Sequence, residues 1–237
     1  LSENRPYYDR DLAWIHHTGF SEFATLASRG VIATLAKHGI HDGLIVDIGC
    51  GSGVLARALT DAGFNVLGID ASPAMIELAR TTAPAARFDI ASFDEATLPP
   101  CRAIIAMGEV LNYGTLDRVR TFIRNAASSL SPGGLLLFDI AERGSYPPHD
   151  ERRTGGDDWS VIVIKDSDGQ RLTRRVLTFR QIDGVTHRDE EVHTLELYAR
   201  EELTGMLREA GFRLRVRRSY GTYRLPKGHA VYVATRG

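Results

Sequence analysis

The chain has 237 residues, 43% of them hydrophobic and 25% charged, which is enough for one α/β core with embellishments and too short for two independent cores. Its formal charge is −1 and its pI about 6.8, so no overall basic field exists to attract a phosphate backbone, and a nucleic-acid partner is disfavoured. Its two cysteines, Cys50 and Cys101, form neither a metal-ligand spacing nor a disulfide framework, which suits a reducing cytoplasm. Neither a bilayer-length apolar run nor a signal segment is seen, so no membrane partner is expected.

Residues 8–38 read as helical, first DRDLAWIHH and then SEFATLASRGVIATLAKHG, with Ser21 as an N-cap and Gly39 as a stop. Leu44, Ile45, Val46 and Ile48 then form a short β-branched run of the kind buried on both faces of a parallel sheet. Gly49, Gly51 and Gly53 follow at once, and three glycines this close let the backbone turn sharply and approach a ligand where any Cβ would collide. VLARALTDAG continues with helical spacing, and a second buried strand runs from Asn65 to Ile69 and ends on Asp70. Together these make one βαβ unit with a carboxylate placed for ribose hydroxyls. A glycine turn alone can be purely steric. Asp47 argues otherwise, because a carboxylate near the end of an apolar strand is costly without a partner at the carboxyl edge of the sheet.

Strands are expected near 86–90, 103–107 and 134–139, with helices near 53–62, 73–82 and 116–130 between them, an alternation that implies parallel pairing. Ser72 and Pro73 open the second of these helices. Pro132-Gly133-Gly134 reads as a plain turn, and residues 141–156, lacking periodicity, as an exposed loop. WSVIVIK, LTRRVLTFRQI and THRDEEVHTLELY, joined by DSDG and IDGV, predict a three-stranded antiparallel insert. A helix, REELTGMLREAG, and a hairpin of FRLRVRRSY with HAVYVATR complete the chain. The run Arg213, Arg215, Arg217, Arg218 and Arg224 reads as a solvated face in preference to an anionic-substrate site.

VDIGCGSG followed by GIDASPAMIELAR, with SPGGLLLFDI and EELTGMLREAGF further on, resembles the motifs of class I S-adenosylmethionine-dependent methyltransferases over nearly the whole chain. The resemblance implies an α/β, Rossmann-like doubly wound seven-stranded sheet with a reversed last strand, an antiparallel insert after strand five and an N-terminal helical lid. It implies one domain over 1–237: a lid to residue 40, a cofactor core over 41–140, the loop and insert over 141–199, and the final helix and hairpin over 200–237. Asp47 would lie near the methionine end of S-adenosyl-L-methionine, Gly49 and Gly51 beneath the cofactor, and Asp70 on the ribose. Cys50, Gly53, Ala71 and Met75 would complete that wall, and a backbone carbonyl near Met107 would receive the ammonium. The family's adenine-binding Asp after strand three is replaced by Ser92 under strand alternation, with Phe93 next offering its N–H and ring; a slip of three would bring Asp89 there instead.

Ligands of such sheets bind beyond the carboxyl ends of the strands, which makes Glu109, Asn112 and Tyr113 candidates to face a methyl acceptor. Glu109 is either a general base or the cap of a short helix. His16, which shares a helix face with Leu12, is either a proton acceptor or a packed helix-end residue. His193 alternates with Glu191 and Leu195 on one strand face and could touch substrate if the insert roofs the site; Tyr7 and Tyr8 could cover the donor. The expected reaction is methyl transfer to a small molecule. Its rivals are a nicotinamide dehydrogenase, disfavoured because the turn is G-x-G-x-G with Val54 in place of the last glycine of G-x-G-x-x-G, and a non-catalytic cofactor-binding module. MGEVLNY in place of an Asn/Asp-Pro-Pro-aromatic tetrad makes DNA-base methylation less likely. Oligomeric state leaves no pattern in the sequence.

Overall fold

The computed structural model describes residues 7–237, so the first six residues of the expected lid lie outside the described residues. Helix α1 (Arg10–Phe20) starts at Asp9, whose carboxylate accepts from the Arg10 N–H, and runs almost directly into α2 (Glu22–Lys37). Ser21, expected as a cap, has helical backbone angles and makes no side-chain cap bond. The reason is that α1 hands its helical geometry straight on, so Ser21 never takes the extended conformation a cap needs. Gly39 does stop α2, at φ +69°.

The core alternates β1 (Leu44–Ile48), α3 (Val54–Asp61), β2 (Asn65–Asp70), α4 (Pro73–Thr82), β3 (Arg87–Ile90), β4 (Cys101–Ala106), α5 (Leu116–Ser129) and β5 (Leu130–Ala141). At the far end of the chain α6 (Arg200–Glu209), β10 (Phe212–Arg217) and β13 (His229–Arg236) complete a seven-stranded sheet in the order β10-β13-β5-β4-β1-β2-β3. Only β13 is reversed, antiparallel to both β5 and β10. A two-strand hairpin, β11 (Ser219–Tyr220) with β12 (Tyr223–Arg224), bridges the last two strands.

Strand alternation sends Val46, Ile104, Leu136 and Phe138 to one face, against Phe122 of α5 and Leu203 and Leu207 of α6. Ile45, Ile105, Leu135 and Leu137 go to the other, against Leu35, Leu59 and Ile76 of α2, α3 and α4. Both faces are therefore covered, as a parallel sheet requires. Pro132-Gly133-Gly134, expected as a plain turn, is an excursion inside β5: Cys101 faces Leu130 while Ala103 faces Leu135. Gly133, at φ +77°, absorbs the surplus residues.

The insert is a four-stranded sheet in the order β6-β7-β8-β9, formed by β6 (His149–Gly155), β7 (Trp159–Ser167), β8 (Arg171–Ile182) and β9 (Val185–Glu196). Three strands were expected, because β6 is almost wholly exposed and shows no apolar alternation. Its side chains pair along the strand instead, Arg152 with Asp150 and Arg153 with Glu151, both at 3.0 Å, and such a charged edge does not invite a further strand. The β8–β9 turn is Asp183-Gly184 with φ of +51° and +78°, the doubly positive geometry that Asp-Gly favours in tight hairpins. α1 docks on this sheet through Leu12 and Ile15 against Val161 and Val176. Arg180 of β8 covers the Trp14 ring at 3.9 Å and bonds Asp11 at 3.1 Å.

Candidate active site

β1 delivers the chain to the glycine turn, where Gly49 and Gly51 both adopt positive φ, +63° and +53°. A Cβ on Gly49 would stand 2.4 Å from a methyl group of Val110, so the turn can pass under the loop after β4 only as glycine. The Gly49 and Cys50 N–H groups donate to the Ile69 carbonyl, and the Gly51 N–H donates to Asp70 Oδ2 at 2.9 Å. The other oxygen of Asp70 accepts from Ser72 N–H at 2.9 Å. These contacts hold the carboxylate at the tip of β2; burial still pushes its pKa up.

Above this turn lies a cavity of about 220 Å³. Asp47, Gly49, Cys50, Gly51, Asp70, Ala71, Met75, Phe93 and Met107 all line it, together with His16 of α1. Asp47 is 2% exposed, and its Oδ2 has no hydrogen-bond partner. Burial, with Asp70 nearby, raises its pKa to about 8. A buried carboxylate oxygen left without a donor is costly, and an ammonium group in the cavity would satisfy it. A nucleoside amino acid fits this donor set: a cradle of backbone without side chains, an acid for hydroxyls and an orphaned acid for an amine.

Three residues considered for the cofactor, Gly53, Ser92 and Asp89, do not line this cavity. Gly53 begins α3 and packs against Ala79, where a Cβ would meet backbone at 3.0 Å, so it serves helix packing. Ser92 opens the turn after β3 and donates to Glu95 at 2.8 Å, away from the cavity. Asp89 points to solvent from β3. Glu109 belongs to a second chamber. Cys50 is buried, its thiol pushed well above its ordinary value chiefly by desolvation, which leaves it inert.

The roof of the cavity is α1, fastened at several points. His17 Nδ1 pairs with Ser52 Oγ at 2.8 Å, and Ser72 Oγ donates to the Tyr8 carbonyl at 2.7 Å. Glu191 of β9 accepts from the Tyr8 and Asp9 N–H groups at 2.7 and 2.8 Å, holding Tyr8 at a positive φ of +59°.

Beyond Tyr8, His16 and Phe20, which border both spaces, a second chamber of about 480 Å³ opens between α1, the insert and the loop before β13. Glu109, at φ +62°, is clamped there by Arg174 (3.0 Å), Tyr146 OH (2.8 Å) and His229 Nε2 (2.7 Å). Burial acts to raise its pKa, but the His229 bond and the Arg174 charge outweigh it and hold the carboxyl well below the usual range. Asp139 fixes the backbone of this loop, accepting from the Gly108 and Glu109 N–H groups and from Tyr220 OH. Asn112 does not face the chamber: its amide bonds Ala141 and the Glu196 carbonyl, tying the turn over Val110–Tyr113 to β5 and β9. His16 is half-buried against Tyr8 and Phe20. Desolvation, then Arg174, lowers its pKa to about 4, so it stays neutral.

A buried polar chain runs along the border of the two chambers. Tyr113 OH lies 3.1 Å from His193 Nδ1, and His193 Nε2 lies 2.8 Å from Glu191 Oε2. With Nε2 donating to the carboxylate, Nδ1 is left as an acceptor and the tyrosine hydroxyl as its donor. The alternation of Glu191 and His193 on one strand face was visible in the sequence; their meeting with Tyr113, and the presence of Arg174, Tyr146 and His229, was not. The arginine run over 213–224 lines neither chamber; Arg213 and Arg215 are exposed on the edge strand β10.

Residues 45–134 match the family model of a methyltransferase domain. The chain is 36% identical over 112 residues to trans-aconitate 2-methyltransferase of Methylobacterium radiotolerans, a match spanning 45% of this chain and 41% of that protein. It is 30% identical over 185 residues to a Geobacillus sp. (strain WCH70) protein named as a methyltransferase, spanning 71% of this chain and 73% of the relative. In fold it is similar to a S-adenosylmethionine-dependent methyltransferase from Clostridium acetobutylicum, with a TM-score of 0.81 at 17% identity over 95% of this chain and 97% of that one. It is also similar to CalS10, an amino pentose methyltransferase from Micromonospora echinaspora solved with S-adenosylmethionine bound, with a TM-score of 0.75 at 20% identity and 99% of each chain covered. The nicotinamide rival thereby loses its ground, and among the described residues no helix is long and apolar enough to cross a membrane. Sheet order, glycine turn and relatives agree: the chain belongs to the class I S-adenosylmethionine-dependent methyltransferases, enzymes that use S-adenosylmethionine as methyl donor.

Proposed function

We propose that the enzyme methylates a small molecule seated in the second chamber, with the donor in the first. The observation that carries this reading is the pair of roofed cavities meeting at Tyr8, His16 and Phe20. A roof of helix and insert sheet suits a compact acceptor better than a polymer. The bound donor supplies an activated sulfonium methyl group, which leaves the protein the tasks of alignment and water exclusion.

In this reading Asp47 takes the donor's ammonium, Asp70 its ribose hydroxyls, and Phe93 packs beside its base. The base role is assigned to His193 in place of Glu109 or His16. What supports His193 is its polar chain: Glu191 fixes the tautomer, and Tyr113 hands its own proton to Nδ1 as it accepts one from the acceptor's heteroatom. Burial pushes the Tyr113 hydroxyl well above its ordinary pKa, so it acts as a conduit and not as the final base. Glu109, already clamped by three donors, has little basicity left and serves to position Arg174 and His229.

The test is to incubate the protein with labelled donor and a metabolite extract and to identify labelled products by mass. Label in a low-mass product supports the reading; label confined to protein or nucleic acid, or donor bound with nothing methylated, defeats it.

A further inference from the structure

Four cationic side chains line the second chamber, Arg152, Lys165, Arg174 and Lys227, against two acidic ones, Glu109 and Asp150. Two pairs cancel: Arg152 with Asp150, and Arg174 with Glu109, each at 3.0 Å. Lys165 and Lys227 make no ion pair among the described residues. Lys165 is half-buried, its ammonium 5.2 Å from the centre of the Tyr146 ring. Arg174 adds a second unmet demand, since its Nε is buried with no hydrogen-bond partner although its terminal nitrogen holds Glu109. Desolvation, followed by repulsion from Arg174, lowers the Lys165 pKa against the opposing pull of Glu109 and of Asp150, its neighbour across β6 and β7.

Each of these groups would be relieved by an anion. A partly desolvated ammonium whose acidic neighbours are already committed to arginines is costly, and a neutral acceptor closing the chamber would make it costlier by excluding the remaining water. An oxyanion between Lys165 and Arg174 would instead gain charge-assisted hydrogen bonds. We infer that the second chamber is an oxyanion subsite, and that the acceptor carries a carboxylate or phosphate group held by Lys165 and Arg174, with Lys227 at the rim. The inference rests on the second chamber being the acceptor site, but the subsite itself can be tested without any methyl transfer.

The experiment is calorimetric titration with inorganic phosphate and with tricarballylate, on the free protein and on protein loaded with S-adenosylhomocysteine. Wild type is compared with Lys165→Met, with Lys227→Met, and with the double variant Glu109→Gln/Arg174→Met, which removes both partners of the buried pair together. Saturable binding of one anion is expected, weakened about tenfold or more by Lys165→Met and less by Lys227→Met at the exposed rim. Tighter binding of phosphate or of the tricarboxylate tells which group the acceptor bears. Absence of binding by both anions, or binding that Lys165→Met and the double variant leave unchanged, overturns the proposal. Loss of S-adenosylhomocysteine binding would count against the donor site alone, because the free-protein titration decides the anion site independently.

Discussion

The two chambers are built by opposite strategies. In the proposed reading the donor chamber takes its floor from the β1 turn, the tip of β2, the start of α4 and the loop after β4, beneath a roof that includes His16, Phe20 and Phe23 of α1 and α2. The acceptor chamber is made of long charged and aromatic side chains from elements far apart in the chain, with Arg174 and His229 brought to Glu109 from β8 and β13, and His193 of β9 lining the same space. A backbone cradle recognises a constant ligand and is hard to alter without breaking the fold. A wall of side chains on an added sheet can change without disturbing the core, which is where substrate choice is readily varied.

The sharpest way to break this contrast is at the shared border. His193→Ala should lower kcat by roughly 10²- to 10⁴-fold, the usual range for losing a general base, while leaving S-adenosylhomocysteine affinity within about twofold. Tyr113→Phe should give a similar kcat loss with His193 intact, and stopped-time product assays with KM separated from kcat would show it. An unchanged kcat in both variants would remove the relay and leave alignment alone.

The donor side predicts a different phenotype. Asp70→Ala should weaken S-adenosylhomocysteine binding about ten- to a hundredfold by calorimetry, the worth of a hydrogen bond or two to a charged group. Glu109→Gln should leave donor binding unaltered and raise KM for the acceptor, because Arg174 and His229 lose the anion that orders them. A further effect concerns stability. The folded-state pKa of Asp47, about 8, lies above its ordinary value, so the folded protein binds the extra proton. Its contribution is full below about pH 4 and is lost as pH rises towards 8, with a slope of at most about 1.4 kcal/mol per pH unit. Thermal melts of the donor-free protein should therefore lose stability over that window more steeply in wild type than in Asp47→Asn, and saturating S-adenosylhomocysteine should flatten the difference.

The same contrast governed what the sequence disclosed. The donor chamber was legible because its signals are local: β-branched strand, glycine turn and terminal acid within a single βαβ unit. Gly53 stands outside the cavity because a positive φ serves close helix packing against Ala79 as readily as ligand approach. Ser92 does not line the cavity because strand alternation does not extend into the turn after β3, where the chain folds Ser92 back onto Glu95. Strand β6 escaped notice because an exposed edge strand carries no apolar period. The acceptor chamber was the least legible. Nothing local marks Arg174, Tyr146 or His229 as neighbours of Glu109, since only the folding of the insert and of β13 against the core brings them together.

The carboxylate of Glu191 has a double attachment with a kinetic meaning. It anchors the first turn of the roof through two backbone N–H groups and steadies the His193 imidazole with the same oxygens. Lifting α1 to admit donor or release product must strip both donors from that carboxylate, leaving it to reorganise around the imidazole alone. Under the base role proposed for His193, opening of the roof and proton abstraction would compete for one side chain, because the carboxylate that anchors the start of α1 is also the one that sets the imidazole.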